Sequence, residues 1–145
     1  LVGPGKHGVT VPFPDGRAVR LRGERILRGE DRMLETLPGS WQDNGPGATG
    51  GETDLGAVRF TGEIVDSKCF FGVMNPGNGK VHRDCAARCI SGGIPPAFLV
   101  RDSAGRTKTL LLANWRREWL EHVAEPVTIG GRLARSAGRL ILYAE

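Results

Sequence analysis

The chain has 145 residues, of which 39% are hydrophobic, so it holds one domain's worth of sequence and can bury a core. No run approaches the roughly 18 apolar residues of a membrane-spanning helix, and no basic-then-apolar segment with a small-residue cleavage site is present. The net charge of +4 arises from sixteen arginines and four lysines scattered along the whole chain. They form no block of the kind that grips a phosphate backbone, and nucleic-acid binding is disfavoured.

Residues 1–35 read as an N-terminal β arm. A turn at Pro14-Asp15-Gly16 separates VTVPF from AVRLRG, and a second turn near Gly29 precedes RMLET. About 35 residues are too few to fold alone, so the arm is expected to lie against the main domain or a partner chain. Residues 36–56, TLPGSWQDNGPGATGGETDLG, carry no apolar period and read as a Gly/Pro-rich linker.

Residues 57–145 form the main domain. VRFTGEIVDSKC alternates as a strand, and PAFLVRD and TKTLLLAN pair about a Ser103-Ala104-Gly105 turn. Asn114 is a suitable N-cap for a helix with Trp115, Trp119, Leu120 and Val123 on one face, stopped by Pro126. VTIGGRLARS and RLILYAE close the domain as a hairpin across Ala137-Gly138. Three strands, a helix and two strands is the order of an OB-like five-stranded barrel, so the fold class is all-β with a short helix, a Cys/His-rich insertion at 69–94 and the N-terminal β-hairpin arm.

The insertion, CFFGVMNPGNGKVHRDCAARC, holds all three cysteines, and it occupies the connection between the first two barrel strands, where such barrels carry ligand contacts. Pro76-Gly77-Asn78-Gly79 is a turn, and HRDCAARCI suits a short helix ended by Gly92-Gly93. That helix places His82, Cys85 and Cys89 on one face, while Cys69 arrives from the end of a strand. Three thiolates and an imidazole are a full ligand set for zinc, can hold an iron–sulfur cluster and, with Met74 close in sequence, suit Cu(I). In an unbroken helix His82 and Cys89 lie about 10 Å apart along the axis. Either His82 precedes the first helical turn, or it supports a ligand instead of being one, or more than one metal atom is held.

A disulfide from Cys69 to Cys85 or Cys89 is the competing reading. A Cys85–Cys89 bridge is the least favoured pairing, because side chains four apart on a helix have Cβ atoms about 5–6 Å apart. A nucleophilic Cys85 with His82 as its base lacks an orienting group and an oxyanion site. Asp84 reads as a first-turn helix charge and Asp66 as the end of a strand. No Gly-x-Ser-x-Gly, phosphate-cradling loop, dinucleotide fingerprint or haem-attachment motif occurs, so the case for an enzyme is thin. Phe70 and Phe71 are expected to cover the cysteines from water.

GEIVDSKC followed by HRDCAARCISGGIPP resembles a pattern in small, uncharacterised bacterial proteins, many of them exported. The matching positions are Gly62, Glu63, Val65, Asp66, Cys69, His82, Cys85, Ala86, Cys89, Gly93 and Pro95. The resemblance implies that the four candidate ligands travel together and that the setting is extracytoplasmic, but it supplies no substrate. Because the sequence opens on Leu1, a removed N-terminal signal or anchor is compatible with it.

Two functions are therefore expected. One is a non-catalytic metal- or cluster-binding OB-like domain with Cys69, His82, Cys85 and Cys89 at the metal, acting as an accessory or electron-transfer subunit of a membrane or redox complex. The other is a disulfide-stapled interaction module without metal, whose arm docks on a protein partner.

Overall fold

The computed structural model describes residues 1–145. Nine strands are present: β1 (Arg17–Arg20), β2 (Gly23–Arg28), β3 (Asp31–Thr36), β4 (Gln42–Pro46), β5 (Glu52–Asp66), β6 (Pro96–Arg101), β7 (Thr107–Ala113), β8 (Pro126–Ser136) and β9 (Arg139–Ala144). One α-helix, α1, spans Arg83–Ser91. No helix is long and apolar enough to cross a membrane.

The last five strands close a barrel in the order β5-β6-β7-β9-β8, with β7 and β9 parallel and every other pair antiparallel. This is the OB-type order expected from the sequence. Closure removes the free sheet edges, and β5 makes it possible by its length: its first part pairs with β8 and its last five residues also pair with β6. Alternation along the strands turns Ile64, Phe98, Leu110, Leu112, Ile129 and Leu142 into one core. Gly62 sits where β5 and β6 cross so closely that a Cβ would strike the Leu99 carbonyl. Ala137 and Gly138 both take positive φ, which suits the tight turn between β8 and β9.

β6 is buried along both faces. Phe98 and Val100 enter the barrel, while Ala97 and Leu99 face outward beneath a second core made with Val2, Met33, Val65, Phe70, Phe71 and Ile94. The insertion and the N-terminal residues therefore pack on the outer wall of the barrel.

Two elements differ from the sequence reading. VTVPF forms no strand, since Pro12 and Pro14 remove two ladder donors; β1 pairs instead with β4, which lies in the stretch read as linker. With β2 and β3 nested between them, β1 and β4 make one long bent hairpin whose tip is Gly29-Glu30. The spacing of Trp115, Trp119, Leu120 and Val123 predicts an α-helix capped by Asn114. The chain forms only a 3-10 stretch, Arg117–His122, and Asn114 has φ +57°. Docking onto β5 ends the helix early, because the Ala124 N–H donates to the Ile64 carbonyl and Val123 bridges Ile64. Trp115, Trp119 and Leu120 still pack on the barrel core, so the apolar face agrees with the sequence pattern and the helix type does not.

Leu142 is fully buried in the barrel, and Leu142→Ala is expected to cost about 2–5 kcal/mol of stability in urea unfolding. Leu27→Ala, at an exposed position on β2, is expected to stay within about 0.5 kcal/mol. Equal losses would contradict the placement of the main core.

Candidate metal centre

β5 ends at Asp66, which is 0% exposed. A carboxylate in that position must find donors, and it finds two. Its Oδ1 accepts the Cys69 backbone N–H at 2.8 Å, and its Oδ2 lies 3.1 Å from His82 Nε2, which carries the proton when it faces a carboxylate. The first contact turns the chain out of the strand into a short π-helical turn, Cys69–Val73, that buries Cys69, Phe70 and Phe71. The two phenylalanines cover the cysteine region, as expected. Gly77 presses against that turn so closely that a Cβ would lie 2.7 Å from the Cys69 carbonyl oxygen.

A 3-10 turn, Lys80–His82, leads into α1, so His82 precedes the first α-helical turn. Its ring points back to Asp66. Cys85 and Cys89 follow on one face of α1, with Ala86 and Ile90 buried against the barrel core. Gly92 and Gly93 end the helix, the Gly92 N–H donating to the Arg88 and Cys89 carbonyls and the Gly93 N–H to that of Ile90, and Gly93 takes the positive φ that follows.

The three Sγ atoms of Cys69, Cys85 and Cys89 all lie within 4.8 Å of one another. All three are free thiols, and the Cys69 and Cys89 side chains are close enough to hydrogen-bond. His82 does not join this group; its ring nitrogen falls in a second cluster with Asp66 and the Cys69 sulfur, also within 4.8 Å. Both sets of atoms are close enough to hold a metal ion, and Cys69 is common to them. Met74, on the rim of the insertion, is exposed.

Residues 1–8 close the site from above. Val2 is buried and hydrogen-bonds through its backbone to Leu34 and Thr36, beside β3. Lys68, 2% exposed, donates to the carbonyls of Gly3 at 2.9 Å and Gly5 at 2.6 Å, and pairs with Glu35 at 2.8 Å. Held in this way, the segment delivers Lys6, whose Nζ is 2.8 Å from Cys85 Sγ and 3.7 Å from Cys89 Sγ. The hairpin tip braces the other side. Arg28 donates to the Phe70 carbonyl at 2.7 Å and lies over the Phe70 ring.

The electrostatics of the thiols follow from these neighbours. Burial raises the Cys69 thiol far above its ordinary value, and the adjacent Asp66 carboxylate adds to the effect. Cys89 is raised by burial and then by Asp66, with the Lys6 charge opposing. Lys6 is itself raised, chiefly by its hydrogen bond to Cys85.

Sequence reasoning gathered the three cysteines and missed Asp66, Lys68 and Lys6. Asp66 carried a usable signal, since a carboxylate three residues before a helical N–H is a capping geometry. Lys6 carried none, being 79 residues from Cys85.

Fold and site together define an OB-type barrel whose first connection holds three convergent thiols beside a buried aspartate–histidine pair. No protein family model matches the chain, and neither a curated protein nor a solved structure matches it.

Two outcomes are expected from this geometry. His82→Ala leaves Asp66 buried with one donor lost and should cost about 3–5 kcal/mol in urea unfolding; a change near zero would mean that the pair is not buried as described. In the metal-free protein the raised Cys69 and Cys89 thiols stay protonated when folded and ionise more easily when unfolded. Stability should therefore be intact below pH 9.0, the ordinary thiol value, and fall as the pH rises beyond it. Urea melts between neutral and strongly alkaline pH check this, and stability that rises with alkali would contradict it.

Proposed function

We propose that the protein is a non-catalytic metal-binding domain in which Cys69, Cys85 and Cys89 bind one soft metal ion. The observation that carries the proposal is the mutual convergence of the three sulfurs within 4.8 Å. With metal–sulfur bonds of about 2.3 Å, two sulfurs on one ion can be no more than about 4.6 Å apart, so a small inward movement seats an ion. Sulfurs bound to separate irons of a cluster need no such convergence, which favours a single ion. Thiolate softness favours zinc or Cu(I) over calcium or magnesium.

In this reading His82 is not a ligand. It holds Asp66, and Asp66 holds the backbone of Cys69, so the pair orients one ligand from outside the coordination sphere. The domain then serves as an accessory subunit in an extracytoplasmic assembly. Leu27, Val73, Met74 and Val81 are exposed on the hairpin and the insertion and leave apolar surface there for a protein partner.

The test is metal content and free-thiol count on protein purified under reducing conditions without chelator. One ion per chain is expected in the wild type, lost in Cys69→Ser, Cys85→Ser and Cys89→Ser and retained in His82→Ala. Affinity should fall in acid, because three thiols must release protons to bind. Absence of metal with a single free thiol would replace this reading with a disulfide-stapled module. Retention of the ion in all three serine variants would remove the ligand assignment.

A further inference from the structure

The position of Lys6 bears on which ion a three-thiolate centre selects, and its significance rests on Cys69, Cys85 and Cys89 being the ligands. The Lys6 side chain is exposed, but the path of the segment that carries it is set by the fold. Its backbone is fixed by the Lys68 hydrogen bonds to Gly3 and Gly5 on one side and by the Gly8 N–H donating to the Gly92 carbonyl at 2.9 Å on the other. The Lys6 carbonyl passes over Gly92 so closely that no Cβ could stand there. The amino group is thus delivered over Cys85 and Cys89, 2.8 and 3.7 Å from their sulfurs.

An ammonium has three donors and no lone pair. It can hydrogen-bond to metal-bound thiolates but cannot ligate. The other candidate for a fourth ligand, His82, is turned toward Asp66 and lies outside the three-sulfur group. A zinc ion here would have three protein ligands and a cation at its open position, whereas Cu+ is satisfied by soft thiolates in a three-coordinate arrangement. Coulomb repulsion from Lys6 is also twice as large for a divalent ion as for a monovalent one at the same place, while its attraction to the three thiolates is the same for both.

We propose that the centre selects Cu+ over Zn2+, and that Lys6, by placing an ammonium where a fourth ligand would sit, sets that preference. No change of oxidation state is involved; the ion is bound and released as Cu+.

The experiment measures Cu+ and Zn2+ affinities of the whole chain under anaerobic, reducing conditions at low salt, each in competition with a chromophoric chelator. The proteins are the wild type, Lys6→Leu, Lys6→Gln and Lys6→Arg. The wild type is expected to prefer Cu+, Lys6→Leu and Lys6→Gln to lower the Cu+/Zn2+ affinity ratio by about tenfold or more, and Lys6→Arg to keep it. A ratio unchanged in both neutral variants overturns the role of Lys6. Tight Zn2+ binding by the wild type that disappears in all three variants also overturns it, since the neutral amine of Lys6 would then be a zinc ligand. Failure of the wild type to bind either ion is a separate result, and it removes the metal centre itself.

Discussion

The buried carboxylate of Asp66 is the constraint on which the rest of the site depends. A carboxylate with no exposed surface is costly unless donors surround it, and here the donors come from two different parts of the insertion. The Cys69 N–H fixes how the chain leaves β5, and the His82 ring fixes where α1 begins. Those two placements bring the sulfur at the end of a strand to the two sulfurs on the helix. The same carboxylate also turns His82 away from the three-sulfur group, so the residue that looks most like a fourth ligand becomes the one that, through Asp66, holds Cys69 in place.

A second layer depends on the outer wall of the barrel. Val65, Ala97 and Leu99 point away from the barrel core and are covered by Phe70, Phe71 and Ile94 of the insertion and by Val2 and Met33 of the N-terminal region. Burying these side chains drives the insertion and the N-terminal residues onto the same face. Lys68 then adds direction to what would otherwise be apolar adhesion. Its buried ammonium is compensated by Glu35 and by the carbonyls of Gly3 and Gly5, and it thereby sets the path of the segment that carries Lys6. The barrel supplies a rigid wall, and the thiol centre is built on that wall from three separate stretches of chain.

Much of the barrel was legible in the sequence because its signals are local. The alternation in VRFTGEIVDSKC, the apolar runs of PAFLVRD and TKTLLLAN, and the turns at Ser103-Ala104-Gly105 and Ala137-Gly138 each depend on neighbours a few residues away. The grouping of Cys69, Cys85 and Cys89 was legible for the same reason, since the helical spacing of the last two is written in HRDCAARC. What was hidden depends on tertiary contact. The segment after Asn114 has helical spacing, yet its docking to Ile64 shortens it to a 3-10 stretch. β4 lies in a glycine-rich stretch without alternation, and only its pairing with β1 makes it a strand. Asp66 looked like a strand end until burial showed why it needs two donors, and Lys6 could be placed only by tracing the path that Lys68 imposes.

X-ray absorption at the edge of the bound ion tests the central claim most directly, because it reports the atoms around the metal without relying on a variant that must fold. A three-thiolate centre gives three sulfur scatterers at about 2.2–2.3 Å from the ion, with no imidazole signature from His82. A shell containing imidazole nitrogen, or one made mainly of oxygen and nitrogen, would contradict the three-thiolate centre and the part assigned to Asp66 in building it.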